Sequence, residues 1–247
     1  MAEVITARTG GVLELALNRP AKKNALTGEM YRALVAGFEE AEREDSIGAV
    51  LIRGEGGVLS AGNDIADFVA SVARGEDLAA ADFIRKLATF PKPIVAAAEG
   101  LAVGVGTTML LHCDLVYAAP ETRFVLPFVD LGLLPEAGSS LILPRLAGMA
   151  RASAWLLLCE PFGAQEAKDA GIINAIVPAE NLHALAREKA ARLAAKPRAA
   201  LLQARAFLRG DAEALHARMN DELAAFQAAL KTPQAQAALQ AFLNKAK

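Results

Sequence analysis

The sequence predicts an α/β fold, and three observations carry that expectation. Short apolar runs that read as buried strands alternate with amphipathic helical stretches, glycine-rich turns follow two of those strands, and only helical periodicity remains beyond Asn181. A hydrophobic content of 54% against 22% charged residues excludes a largely disordered chain. At 247 residues there is enough chain for one large core. No repeat or low-complexity linker divides it, so the economical division is an α/β core over 1–180 and a helical C-terminal subdomain over 181–247.

Taken in order, VLELAL at 12–17 places Leu13, Leu15 and Leu17 on one strand face. Thr27 is placed to cap a helix running to about Asp45, with Met30, Leu34, Phe38 and Ala41 on one stripe. AVLIRG at 49–54 and PIVAAAEG at 93–100 read as buried strands. A second helix follows Asp64, and a third runs from about Asp77 to Thr89 before the PKP break at 91–93. DLVYAA at 114–119 and IINAIV at 172–177 supply further strands. In the tail, Leu215, Met219, Leu223, Phe226 and Leu230 make one apolar helix face, to be covered by this chain or by a neighbouring subunit.

Charge and cysteine usage narrow the function classes. A net charge of -2 supplies no global drive toward nucleic acid or an anionic membrane. Cys113 and Cys159 lack ligand spacing, which argues against a disulfide framework or a zinc site. The amino terminus lacks the apolar core of a signal peptide, the run at 100–111 is too short to span a bilayer, and NKAK is unlike a peroxisomal address, so a cytoplasmic protein is expected.

Two turns stand out. EGLAVGVGTTM at 99–109 fails the dinucleotide fingerprint, because Met109 stands where a third glycine or alanine is needed. What remains is a strand, a glycine turn and a helix start, either simple close packing or a place where backbone N–H groups meet an anion or a polarised oxygen. LSAGNDIADF at 59–68 is a second such turn, with Asp64 placed as a helix cap. Together they have the makings of an oxyanion hole. His112, His183 and His216 read as structural, and the absence of a Gly-x-Ser-x-Gly elbow disfavours nucleophilic hydrolysis. Glu136 is the one ionised side chain between Asp130 and Arg145, so it faces water or does chemistry.

Read together, NRPAKKNAL at 18–26, LSAGNDI at 59–65, EGLAVGVGTTMLLHCDLVYA at 99–118 and FVDLGLLPEAGSSLILPRLAG at 128–148 resemble the enoyl-CoA hydratase/isomerase (crotonase) superfamily over nearly the whole chain. The resemblance implies a spiral of ββα units with C-terminal helices that build a homotrimer or a dimer of trimers. It implies an acyl-CoA thioester as substrate, with no metal and no separate cofactor, coenzyme A being part of the substrate. By motif position the oxyanion-hole amides fall on Asn63 and Val105. The two glutamates of the family's hydratases are replaced by Thr108 and Phe128, which disfavours a standard hydratase.

Glu136 occupies the position resembling the base of Δ3,Δ2-enoyl-CoA isomerases, especially the peroxisomal-type branch, and the AGND turn and Phe128 resemble that branch too. Desolvation among apolar neighbours would raise the basicity of such a carboxylate. The resemblance further implies coenzyme A contacts at Lys22 and Lys23, at Ala25, Ala61, Gly62, Asn63, Asp64 and Ile65, beside Gly104, and at Phe242 and Lys245. Leu126, Phe128, Leu133 and Leu134 are candidates for the acyl channel. Another CoA-ester isomerase or hydratase, and a non-catalytic acyl-CoA-binding scaffold, remain the competing readings.

Overall fold

The computed structural model of the protein describes residues 2–74, 78–210 and 212–245, the side chain of Lys245 excepted. A hairpin opens the chain: β1 (Val4–Thr9) returns through Gly10 and Gly11 into β2 (Val12–Leu17), with Gly10 at φ 57. β1 is largely exposed and its apolar residues are few, which is why the sequence did not announce it. Leu13, Leu15 and Leu17 are buried on one face of β2 and Val12 on the other, as the two-residue period of a strand requires.

Helix α1 (Gly28–Arg43) follows, its first turn capped by the Thr27 hydroxyl, which accepts from the Met30 amide. Its buried stripe of Met30, Leu34, Phe38 and Ala41 is the expected one. Next come β3 (Ala49–Gly54), α2 (Ile65–Ala73) and α3 (Ala79–Thr89). α2 begins at Asp64, whose carboxylate accepts from the amides of Ala66 and Asp67 at 3.1 Å each. The expected start of α3 at Asp77 lies outside the described residues.

Strand β4 (Ile94–Ala98) turns at Gly100 into β5 (Leu101–Val103) and the single-turn helix α4 (Val105–Thr108). After β6 (Leu115–Ala118) and β7 (Arg123–Val125) come α5 (Ser139–Ala147), α6 (Met149–Leu157), β8 (Phe162–Gly163), α7 (Ala164–Asp169) and β9 (Ala175–Ile176). The stretch at 172–177 thus pairs over two residues only. Four helices complete the chain: α8 (Ala179–Ala194), α9 (Arg198–Arg209), α10 (Ala212–Leu230) and α11 (Pro233–Lys245).

The larger sheet has the order β1-β2-β3-β4-β6-β9 and is parallel apart from the β1–β2 hairpin. The smaller sheet, β5-β7-β8, was not anticipated, because its strands span only two or three residues each. In β3 and β4 the alternation assigns Val50, Ile52, Ile94 and Ala96 to the main core under α1 and α3. Leu51, Val95 and Ala97 face a second core, closed by Leu182, Ala186 and Ala190 of α8. The first helix of the C-terminal run therefore covers the back of the sheet.

An ion cluster fastens that cover. Glu14, on the α8 side of β2, accepts two bonds of 2.8 Å from Arg187 of α8 and also bonds Arg53 of β3. Arg187 holds the Glu14 carboxyl down at about 2, burial opposes it, and Arg53 lowers it further. A depressed carboxyl pKa adds stability that is complete above the unfolded value and is lost as pH falls through the folded one. Glu14→Gln is therefore expected to cost on the order of 2 kcal/mol at pH 7. In urea unfolding, stability of the wild type should fall more steeply than that of the variant between the ordinary carboxyl value of 4.5 and about 2.

Candidate active site

The parallel strands β3 and β4 end at the same edge, and the loops leaving them are laced together there. Asn24, fully buried at φ 53, is the knot: its side-chain amide donates to the carbonyls of Glu55 and Val58, and its Oδ1 accepts from the Arg19 amide. Ser60 bridges across to β5, its amide donating to Leu101 and its carbonyl accepting from Val103, both at 3.0 Å. Leu26 donates to the Gly62 carbonyl at 2.7 Å and accepts from the Asp64 amide at 2.9 Å. Flanked in this way, the amide of Asn63 points away from Leu26 and is left for another acceptor.

Gly104 makes the second turn at φ 52 and ψ -118, a conformation closed to side-chain-bearing residues. Its carbonyl accepts from the amides of Thr107 and Thr108, so those of Val105 and Gly106 have no acceptor within the helix. The two turns touch: a Cβ on Gly62 would lie 2.7 Å from the Val103 carbonyl oxygen. Tyr31 steadies the first turn by donating its hydroxyl to Asn63 Oδ1 at 2.5 Å.

Glu136 enters from the opposite wall, on a turn whose next two residues, Ala137 and Gly138, have φ of 59 and 70. A left-handed alanine costs about 1 kcal/mol, and two side chains hold it there. His112 donates from Nε2 to the Ala137 carbonyl at 2.8 Å, and burial pushes this imidazole down to about 4, so it is neutral. Glu222 of α10 accepts from the Gly138 amide at 2.6 Å.

The Glu136 carboxyl is enclosed. Thr108 donates its hydroxyl to Oε1, whereas Oε2 is buried without a hydrogen-bond partner. Burial is the main cause that pushes this group up to about 8; the Thr108 bond lowers it, and the Glu222 charge adds to the rise.

Asn63, Gly104, Val105 and Glu136 line one cavity, about 1090 Å³ of empty space counting its open mouth. Its walls are mostly apolar, from Ile65 and Phe68 of α2, Ile84 of α3, Leu131 and Leu133, and Leu223 and Phe226 of α10. Phe68 and Phe226 meet edge to face, their centroids 6.2 Å apart. Among the described residues lining it, Glu136 is the sole carboxylate. The apolar stripe of α10 is thus covered within the chain.

Of the residues expected at the site, Ala61, Gly62, Ile65, Phe128 and Phe242 also line this cavity, Phe242 being 49% exposed at its mouth. Lys22 and Lys23 are exposed and lie outside the cavity lining. The Ala25 carbonyl accepts from Arg19, and the Ala61 amide is bonded to the Lys23 carbonyl. Asp64 spends its carboxylate on the cap of α2 and on Arg19, 2.7 Å away. The Lys245 side chain lies outside the described residues. Leu133 lines the channel, but Leu126 is fully buried in the core and Leu134 is 37% exposed, so neither is a lining residue as expected.

The sequence reading missed Asn24, Tyr31 and Glu222, and saw Thr108 only as a lost glutamate. Each acts through a contact more than 25 positions away, for which no local spacing exists.

The sequence pattern of the enoyl-CoA hydratase/isomerase family matches residues 7–247. The chain belongs to that family. A crystal structure of an enoyl-CoA hydratase/isomerase from Pseudoalteromonas atlantica T6c superposes with a TM-score of 0.93 at 35% identity, covering 99% of this chain and 98% of that one. The fold is therefore the crotonase fold, with its helical C-terminal region.

Two curated relatives differ in activity at equal identity. 2,3-Dehydroadipyl-CoA hydratase of Escherichia coli K12 is 34% identical over 99% of this chain and 97% of its own length. Enoyl-CoA delta isomerase 2 of Rattus norvegicus is 34% identical over 71% of this chain and 46% of its own length. Identity alone does not choose between hydration and isomerisation for this member of the enoyl-CoA hydratase/isomerase family.

Thr108→Val tests the carboxylate geometry. The hydroxyl bond stabilises the ionised form, so its loss should move the Glu136 titration above about 8. Infrared or carbon NMR titration of the Glu136 carboxyl reads this directly, and a downward shift would contradict the arrangement.

Proposed function

We propose that the protein is a Δ3,Δ2-enoyl-CoA isomerase in which Glu136 is the sole acid/base. The observation that carries this reading is one enclosed carboxylate, with a free oxygen, sharing a mainly apolar cavity with the turns of Asn63 and Val105. In the proposed reaction the thioester oxygen sits between the Asn63 and Val105 amides. Glu136 takes a proton from the carbon alpha to the carbonyl, and the electron pair delocalises through the double bond onto that oxygen. The protonated Glu136 then gives the proton to the gamma carbon, which leaves the double bond conjugated.

Each amide stabilises the dienolate more than the substrate, by roughly 3 kcal/mol on the scale of other oxyanion holes. The chemistry is a proton transfer with no change of oxidation state, so we assign it no metal, nicotinamide or flavin, coenzyme A entering as part of the substrate. The apolar walls keep water from the dienolate. Thr108 and Phe128 stand at the positions that resemble those of the two hydratase glutamates, and neither side chain can act as a general base, which supports isomerisation over hydration.

The hydratase relative motivates the second reading, hydration or another CoA-ester reaction on the same turns. Incubation with cis- and trans-3-enoyl-CoA esters of graded length separates the two. Isomerisation predicts a conjugated 2-enoyl product and loss of roughly 10²–10⁴ in kcat for Glu136→Gln. A 3-hydroxyacyl product, full activity of the variant, or binding without turnover would refute it.

Because the base acts ionised, kcat/KM should rise about tenfold per pH unit up to the Glu136 titration near 8 and level off above it. A profile flat from pH 6 to 9 would refute that role.

We further propose assembly as a homotrimer or dimer of trimers in the cytoplasm. Met149, Leu157 and Leu158 at the ends of α6, and Phe207 and Leu208 of α9, are 63–87% exposed, large apolar side chains suited to burial between copies. No helix among the described residues is long and apolar enough to cross a membrane. Sedimentation should give three or six times the 25.9 kDa chain mass, and a monomer at micromolar concentration would refute the assembly.

A further inference from the structure

Glu222 is a buried carboxylate on α10, and its contacts are with Gly138 and Ser140, one and three positions beyond Ala137 where the turn bearing the base enters α5. Oε2 accepts from the Gly138 amide at 2.6 Å, and Oε1 accepts from the Ser140 amide at 3.0 Å and the Ser140 hydroxyl at 2.5 Å. Among the described residues no cation is paired with it. Arg218 reaches only the Ser140 oxygen, at 3.1 Å, one bond removed. A purely structural cap of α5 would be served by a neutral side chain at lower desolvation cost.

From these contacts we infer that Glu222 is a positioning residue for the general base: it locks the turn that aims Glu136 into the cavity and places an unpaired negative charge behind that carboxylate. This goes beyond the isomerase reading but rests on it for the role of Glu136 as base. A negative charge on Glu222 disfavours ionisation of the nearby Glu136 carboxyl, which has fewer donors to stabilise it. Glu222 has three donors and Glu136 has one, Thr108.

The other titratable or charged groups around the pair are Tyr31 from α1, Arg85 from α3, which lines the cavity and is paired with Asp82, His112 after α4, Arg209 from α9, and His216 and Arg218 from α10. Tyr31 is driven further toward its neutral form by burial and by the Glu136 charge, and His112 is neutral. Arg209 is bonded to the His112 carbonyl and to Asp114. The charge that Glu136 meets on its own wall is therefore that of Glu222.

The test is the titration of the Glu136 carboxyl in the free protein, by carbon NMR with Glu136→Gln used for assignment. Alongside it runs α-proton exchange of hexanoyl-CoA in heavy water. In Glu222→Gln the negative charge is gone, and the Glu136 midpoint and the acid limb of exchange should both fall by about one pH unit. In Glu222→Ala the turn is also released, and the exchange rate above the midpoint should drop by roughly tenfold or more with little change in KM.

Ser140→Ala removes one donor and the link to Arg218, both of which act on the Glu222 charge, so the midpoint should shift; this variant decides the matter if both Glu222 variants fail to fold. A midpoint unmoved in folded Glu222→Gln or in Ser140→Ala, with only the melting temperature lowered, would reduce Glu222 to a structural cap and overturn the inference. Because the titration needs no substrate, failure of the wild type to exchange or isomerise would count against the proposed function alone.

Discussion

The arrangement depends on a strained turn held from two sides. Ala137 and Gly138 both adopt left-handed backbone, and that reversal sends Glu136 inward instead of along the surface. The neutral His112 grips the carbonyl of the first, and Glu222 grips the amide of the second. Neither contact is local, since one comes from the segment after α4 and the other from the C-terminal helices. Strain of this kind persists only where the surroundings over-determine it.

The opposite wall is made by different means. Small residues allow the loops after β3 and β4 to approach until backbone touches backbone, and Asn24 replaces main-chain partners that those loops lack. Amides thereby come to face a cavity without being taken up in a ladder or a helix. One wall thus offers rigid dipoles and the other a single ionisable group whose solvation is withheld. That asymmetry suits a reaction in which charge gathers on one oxygen while a proton moves elsewhere.

How much of this was legible in the sequence follows from the range of each interaction. The strands at 49–54 and 94–98 and the stripe of α1 were readable because their periodicity is local and uniformly apolar. The motif set resembling the family pointed to Asn63, Val105 and Glu136, and all three line one cavity. The hairpin strand β1 and the small sheet were not readable, being exposed or too short to carry a period. Glu222 was invisible for another reason. Its neighbours in sequence describe an ordinary helix, and only the packing of α10 onto α5 gives it partners.

Helix α10 serves the cavity twice over. Met219, Leu223 and Phe226 form part of its wall, while Glu222, on an adjoining face, accepts from the turn that carries Glu136. Resizing those apolar side chains would shift the helix and disturb the Glu136 turn at the same time. Phe68 of α2 and Ile84 of α3 reach the same space and are not bonded to that turn, so the cavity can be reshaped from their side without loosening Glu136. Two helices are thus free to set the width of the pocket, and the third is tied by its double duty.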